Sequence, residues 1–463
     1  MIRGGAASRL PAAGREGLRL SLRLLRTLAV GARRQTGAKA HPAELPARGR
    51  LGAFRSLGTP RLVVGCLAAA LLHSPSPAQA GFTETLPKGL FLVDESYVYS
   101  WIDSCFNDEG DLVALVKPIE RYEPGGPKQG SIIPVPEAKF NVLVTQIQYG
   151  LVDSLSLAIG IPVLLSTTVD PHLGWEPGDY QWTLGRAYTE EDFWEWAASM
   201  GQPKPGVWKG NEGALGEIVL GLRYRFTDRY NWFQKNELAS SVMLFGLLPT
   251  GSNADPEEIL SVGTTMWDLH TMGDVGIHVG FDKFFKKSLN DRLTLGVEGF
   301  YEALLNRELD TPTGEKHPLL ITFDPYVGPT YDVDPGDFAG ASFEINLVPW
   351  KGPARATWLT KGNLEEAGKL PPIMTFTFRY TYVHLGQTDW ESDSDIWEWK
   401  DREEMWRPGY KNFLHLQVLF SFLRLGVPLQ PYVYYRNLTW LPGKNARATN
   451  VLAFGLRAPV KFW

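Results

Sequence analysis

Glu217-Ile218-Val219-Leu220-Gly221-Leu222-Arg223-Tyr224-Arg225-Phe226 is the stretch on which the fold turns. Ile218, Leu220, Leu222, Tyr224 and Phe226 take every second position, and Glu217, Val219, Gly221, Arg223 and Arg225 fill the positions between. A helix would scatter both sets around its circumference. A strand, whose side chains alternate with a period of two, sends one set to each face. One face is therefore oily and the other carries charge.

The same alternation recurs along the chain. Leu155, Leu157, Ile159, Ile161 and Val163 alternate with Ser156, Ala158, Gly160 and Pro162. Val275, Ile277, Val279 and Phe281 lie opposite Asp274, His278 and Asp282, and Leu293, Leu295, Val297 and Tyr301 opposite Thr294, Gly296, Glu298 and Glu302. Ala341, Phe343, Ile345 and Leu347 alternate with Ser342, Glu344 and Asn346. Met374, Phe376, Phe378, Tyr380 and Tyr382 alternate with Thr375, Thr377, Arg379 and Thr381, and Leu414, Leu416, Val418 and Phe420 with His415 and Gln417. Runs of about nine to thirteen residues suit tilted strands crossing a bilayer better than the five or six of a soluble sandwich. Aromatics gather at run ends (Tyr149, Phe281, Trp350, Tyr382, Trp440), as interfacial girdles require. Backbone groups in lipid must all be paired, so such a sheet closes on itself. The expected fold is all-β: a transmembrane antiparallel up-and-down β-barrel with long surface loops, in the bacterial outer membrane, with lipid as a partner.

Gly150-Leu151-Val152-Asp153, Thr227 to Lys235, Phe285 to Asn290, Asp334-Pro335-Gly336-Asp337 and Gly426-Val427-Pro428 are short connections that suit periplasmic turns. Asp108 to Glu137, Ser166 to Gly213, Thr250 to Thr264, Asn306 to Pro318 and Gln387 to Tyr410 are long and suit surface loops. Counting strands between them gives about thirteen, against the even number of bacterial barrels. The discrepancy lies between Val348 and Gly386, where Arg355 to Leu359 is a candidate short strand. We expect about 14 strands, with 12 as the alternative.

Two chemically unlike parts make up the 463 residues. Residues 1 to 80 carry twelve Arg and one Lys against Glu16 and Glu44, a net +11; the rest hold 33 basic and 49 acidic side chains, a net −16. Binding a phosphate backbone needs clustered cations, so nucleic acid is not an expected partner. Leu62 to Leu72 is an eleven-residue apolar run behind Arg48, Arg50, Arg55 and Arg61, followed by Pro75 and Pro77 and ending in Ala78-Gln79-Ala80. That order is a secretory signal peptide, with cleavage expected before Gly81. Residues 1–80 are then leader and signal, and 81–463 the barrel. The body holds a single cysteine, Cys105, and can make no internal disulfide.

At the C-terminus Leu452, Phe454, Leu456, Ala458, Val460 and Phe462 alternate with more polar or smaller residues, and Trp463 ends the chain. Phe454, Leu456, Val460, Phe462 and Trp463 are the candidate signal read by the barrel-insertion machinery. Gly81 to Phe91 is a candidate lumen plug. Two long loops are rich in Trp and acid: Trp182, Trp194 and Trp196 in one, Trp390, Trp397 and Trp399 in the other. They read either as an aromatic entrance that captures solutes or as loops packing on themselves. Thr189-Glu190-Glu191-Asp192 before an apolar run reads as a capped short helix.

The inward positions carry Glu217, Arg223, Arg225, Asp274, His278, Asp282, Glu298, Glu302, Glu344, Arg379, His415 and Arg457, candidate lumen-lining residues. Mixed charges hydrate a lumen and set solute preference, or brace it by ion pairing. His270 and His278 share a face but stand about 27 Å apart at the strand rise, too far to share a metal. The sequence offers no nucleophile-elbow motif and no cysteine cluster, so no catalytic residue, metal or cofactor is expected.

Tyr149-Gly150-Leu151-Val152-Asp153-Ser154-Leu155-Ser156-Leu157, then Gly216 to Phe226, then Leu248-Pro249-Thr250-Gly251 follow one another in an order that resembles the outer-membrane family named for the meta-pathway of phenol degradation. The resemblance spans Lys139 to Leu305. It implies a transporter-like barrel associated with aromatic compounds, so small aromatic or apolar solutes are the expected cargo. The alternative is a non-transporting structural or adhesion barrel with a plugged lumen.

Overall fold

The computed structural model describes residues 81–461, apart from 116–117, 124–125, 179–185, 200–203, 205, 211–212, 251–272, 311–327, 354–369, 393–406 and 438. Twelve long antiparallel strands follow one another: β1 (Leu90–Phe106), β2 (Glu137–Val152), β3 (Leu155–Asp170), β4 (Ile218–Tyr224), β5 (Leu238–Leu248), β6 (Asp274–Phe284), β7 (Leu293–Leu304), β8 (Phe338–Trp350), β9 (Met374–Leu385), β10 (Gly409–Phe420), β11 (Gln430–Asn437) and β12 (Ala446–Lys461). Each pairs with its chain neighbours, and β12 pairs with β1 from Leu90↔Lys461 to Phe106↔Ala446. The sheet therefore has no open edge in this circuit, and both ends of the barrel sequence lie at one end of the cylinder. Twelve is the lower of the two expected counts.

The odd count in the sequence has a structural origin. Thr330–Asp334 is a genuine strand, but it belongs to a satellite sheet with Arg307–Asp310 and Asp389–Glu391. The short Asp334-Pro335-Gly336-Asp337 connection links that sheet to β8. It lies at the loop end, because Phe338 pairs with Glu302 whereas Leu347 pairs with Leu293 at the turn end. Loop length misreports the side here because the preceding strand lies outside the barrel. β8 and β9 pair directly from Phe338↔Leu385 to Leu347↔Phe376; Arg355 to Leu359 falls outside the described residues. A second satellite sheet joins Ile119–Tyr122, Lys128–Pro134 and Leu173–Pro177.

The period of two sorts the side chains as expected. On β6 and β7, Val275, Ile277, Phe281, Val297 and Tyr301 are exposed on the outer face, each by 41 to 54 %. Asp274, His278, Asp282, Glu298 and Glu302 alternate with them and are buried inside. A closed antiparallel barrel with an oily outer belt and a polar inner face is an outer-membrane barrel, since only closure satisfies every backbone group within lipid.

The inside is not uniformly polar. Val98 and Ile102 of β1, Phe140 and Val142 of β2, Leu164 of β3 and Val451 of β12 form a buried apolar cluster. Of the seven buried acids among the described residues, Asp274, Asp282, Glu298, Glu302 and Glu344 lie on β6, β7 and β8, with Arg379 on β9, whereas Glu217 precedes β4 and Asp94 of β1 pairs with Arg457 of β12. In a circuit of twelve, β1 and β7 are six places apart, as are β2 and β8. The lumen thus has an ionic wall facing an apolar one.

Candidate functional site: a plugged lumen with two unlike walls

The ionic wall is built from cross-strand neighbours. Glu344 and Arg379 are direct partners across β8 and β9, with Arg379 Nε donating to Glu344 Oε2 at 2.8 Å. Asn346 also donates to Glu344, and the hydroxyl of Thr377 bonds Asn346 Oδ1 at 2.5 Å. The His278 ring lies between Phe245 and Phe300, its centroid 5.0 and 5.2 Å from theirs. Its nitrogens face Glu298 at 3.3 Å and Glu302 at 3.9 Å. Asp274 accepts from the backbone N–H of Leu247 at 3.1 Å. Further round, His415 pairs with Gln417 at 3.3 Å and packs on Tyr434. Such paired charges brace a lumen as well as hydrate it.

The chain preceding β1 fills the space beside this wall. Phe82 and Thr83 are fully buried, and Phe82 lies under the Arg379 guanidinium, 4.4 Å from ring centroid to Cζ. A Cβ at Gly280 would meet Phe82 Cβ at 2.7 Å, and one at Gly296 would meet the Phe82 ring at 2.8 Å. Two glycines on adjacent strands therefore hollow a socket for one aromatic ring. Ser241 donates to the Phe82 carbonyl at 3.1 Å, and Leu86 N–H donates to Ser156 Oγ at 2.7 Å. The segment then leaves along the β2–β3 turn, where Lys88 N–H donates to Asp153 Oδ1 at 2.9 Å and Gly89 N–H to the Gly150 carbonyl at 2.8 Å. Gly81 to Phe91 is the candidate plug, and its first residues occupy the lumen.

On the other side, β4 has only seven residues, and Gly221 pairs with Ala158 of β3. With two small side chains facing each other in a short strand pair, a cavity of about 450 Å³ opens there, lined by Ile147, Tyr149, Leu157, Leu220, Leu244 and Phe245 among others. Leu157, Leu220 and Leu244 belong to the exposed outer face and Phe245 to the buried interior. The cavity is thus apolar and lies in the wall itself.

The described loop tryptophans, Trp194, Trp196 and Trp390, pack against neighbouring loop residues. Helix α1 (Glu190–Ser199) starts at Thr189, whose hydroxyl accepts from Asp192 N–H at 3.3 Å while Asp192 Oδ2 accepts from Thr189 N–H at 2.8 Å. This is a capping box with Asp in the third position. Arg186 donates to Asp192 Oδ1 at 2.6 Å and holds that carboxyl well below the usual carboxylate range. Trp194 donates to Glu190 at 3.1 Å, and Trp196 lies 3.6 Å under the Arg121 guanidinium. Burial among these rings pushes the Arg121 guanidinium down. Trp390 is buried against Tyr331 in the other satellite sheet.

Of the twelve candidate lumen residues, the ionic wall and its flanks gather Arg223, Asp274, His278, Asp282, Glu298, Glu302, Glu344 and Arg379. Glu217 is buried just before β4. Arg225 stands apart in the β4–β5 turn, bonded to Asp228 at 2.7 Å. Arg457 meets Asp94 on the opposite side, a partner that sequence reasoning missed. Phe454, Leu456 and Val460 project outward from β12. Trp182, Trp397, Trp399, Phe462 and Trp463 lie outside the described residues.

No protein-family model and no curated protein matches the sequence. Among solved structures, the chain is similar to the COG4313 outer membrane channel from Pseudomonas putida F1, at 12% identity and a TM-score of 0.47, over 82% of this chain and 98% of that one. It is also similar to the translocator domain of the autotransporter NalP from Neisseria meningitidis, at 7% identity and a TM-score of 0.35, over 86% and 98% of the two chains. A third is the CymD monoaromatic hydrocarbon channel, at 8% identity and a TM-score of 0.30, over 81% and 90%.

Proposed function

We propose that this barrel is a channel that passes small aromatic or apolar solutes across the outer membrane. The observation that carries the reading is the apolar inner wall of Val98, Ile102, Phe140, Val142, Leu164 and Val451. A general water-filled pore has no use for an oily lining on one side, because apolar surface facing water costs roughly 25 cal/mol per Å². These side chains are packed together and buried, so an oily solute that parts them meets apolar surface on this side and paired charges on the other. The wall cavity beside Phe245 offers the same chemistry at solute size. The family resemblance of the β2–β3 turn and β4 agrees with aromatic cargo. On this reading β12, with Phe454, Leu456 and Val460 outward, is the segment that the insertion machinery binds, and membrane lipid covers the belt.

A second reading, a non-transporting barrel, draws on the buried Phe82 and Thr83. Reconstitution separates the two. Liposomes carrying the purified protein should take up a small uncharged aromatic, and Phe140→Asp should cut that uptake several-fold. Neither solute flux nor single-channel current, in the wild type and in Phe82→Ala alike, would leave only the second reading.

A further inference from the structure

Asp282 is organised around the first described residues of the chain. Phe82 and Thr83 present successive backbone N–H groups to its two oxygens at 3.1 and 2.7 Å, and the Thr83 hydroxyl donates to Oδ2 at 2.6 Å. Gly81 is buried, with φ of +139°, and turns its α-carbon against the same carboxylate. A Cβ on Gly81 would lie 2.3 Å from Asp282 Oδ2, so only glycine fits. Convergent N–H groups of this kind form a concave anion seat.

The charges around the seat are unequal. Asp282, Glu298, Glu302 and Glu344 are all buried; Arg223 and Arg379 lie within electrostatic reach of this cluster, and the His278 ring faces Glu298 and Glu302 rather than Asp282. Arg379 is bonded to Glu344. The three described hydrogen bonds to Asp282 come from neutral donors. A buried carboxylate is most stable with a cation beside it.

The position of Gly81 suggests where a cation comes from. Ala78-Gln79-Ala80 is the small-x-small end of the signal peptide, and the bond it predicts to be cut is Ala80–Gly81. Signal peptidase would hydrolyse that amide: water supplies a hydroxyl to the Ala80 carbonyl and a hydrogen to the Gly81 nitrogen, which then takes a proton from solvent. We propose that the α-ammonium so created at Gly81 binds Asp282, completing the seat, so that the barrel recognises its own processed amino terminus. A neutral amide or a longer chain at this point lacks the charge, and plug seating is thereby tied to maturation.

The test is chemical and does not depend on what the barrel transports. Protein extracted from outer membranes is first weighed intact, and the mature chain should begin at Gly81. Its terminus is then labelled with a pyridine carboxaldehyde, which condenses with free α-amino groups, in three proteins: the wild type, Asp282→Asn, and a chain with one Ser inserted between Ala80 and Gly81. An ion-paired ammonium gives up its proton reluctantly, and each unit by which its pKa rises above the usual ~8 lowers the free amine about tenfold. Wild type should therefore label at least about tenfold more slowly than both variants. Should Asp282→Asn fail to fold, the Ser-extended chain, which leaves every barrel residue intact, carries the comparison. A mature chain starting elsewhere, or equal labelling rates in the folded proteins, overturns the proposal.

Discussion

Arg457 Nε lies 2.6 Å from Asp94 Oδ2, across the seam where the last strand meets the first. The two residues are direct cross-strand partners and both are buried. Tyr432 of β11 donates its hydroxyl to Asp94 Oδ1 at 2.9 Å, and its ring lies 4.8 Å from Arg457 Cζ. One carboxylate thus ties three strands at the point where the barrel closes. Removing one member of a buried pair leaves the other charge uncompensated, at a cost of ~3–5 kcal/mol. Asp94→Asn should lose that much stability in urea titrations followed by the gel shift of folded barrels, whereas Asp94→Asn with Arg457→Met should recover most of it. Equal losses in the single and double variants would show that the pair does not act as a unit.

Seating of the plug should be sensitive to the volume of two glycines that touch nothing outside the barrel. Gly296→Val puts methyl groups where the Phe82 ring and Asp282 now sit, since even a Cβ there falls 2.6 Å from Asp282 Oδ1. Overpacking of this kind costs ~1–3 kcal/mol and is relieved most cheaply by expelling the segment that is not part of the sheet. Single-channel conductance should rise in Gly296→Val and in Phe82→Ala, with the folded gel shift unchanged. Conductance at the wild-type level in both would mean that the segment does not limit the pore.

How much of this was visible in the sequence follows from what each face must satisfy. The outer face of β6 to β10 must be oily along its whole length, so the period of two is nearly unbroken and the inward acids could be read off directly. β1 hides its register, because Val93 and Tyr97 face outward while Leu92, Val98 and Ile102 face the apolar wall. Asp94 therefore stood in an apolar run without a visible face, and its link to Arg457 spans 363 positions. The plug contacts are likewise remote: Asp282 lies about 200 residues from the segment it holds, and no local pattern announces such a pairing. In the turn from Tyr149 to Asp153, Gly150 and Asp153 receive the departing plug, a role that turn chemistry alone does not announce. Counting strands between connections gives an odd number because Thr330–Asp334 alternates like a barrel strand but pairs in a satellite sheet.

If membrane lipid covers the belt, a charge placed there should be costly according to depth. Val297 is at the middle of β7 and 52 % exposed on the outer face. Lysine at the midplane of a transmembrane barrel costs ~2–4 kcal/mol, falling to about 0–1 near the interfaces. Val297→Lys should therefore lower the free energy of folding into liposomes by the larger amount, and Leu248→Lys, at the loop end of β5, by the smaller. Equal penalties at the two sites would contradict the placement of the belt.

Helix α1 offers a pH test away from the membrane. Arg186 holds the Asp192 carboxyl below the usual carboxylate range, and the Thr189 bonds act in the same direction. A group whose folded pKa is depressed contributes stability that is complete above its unfolded value, about 4, and is lost only as pH falls through the lower folded value. Amide exchange across Glu190 to Ser199, corrected for intrinsic rate, should therefore be constant from pH 7 down to about 4 and speed up only in stronger acid. Asp192→Asn removes both the Arg186 pair and its titration, so exchange should already be faster at pH 7. It should speed up less on acidification than in the wild type, because only the Glu190 contacts to Trp194 and Lys204 remain to be lost. Loss of protection in the wild type between pH 6 and about 5, where an unperturbed carboxylate is still ionised, would show that another group controls the cap.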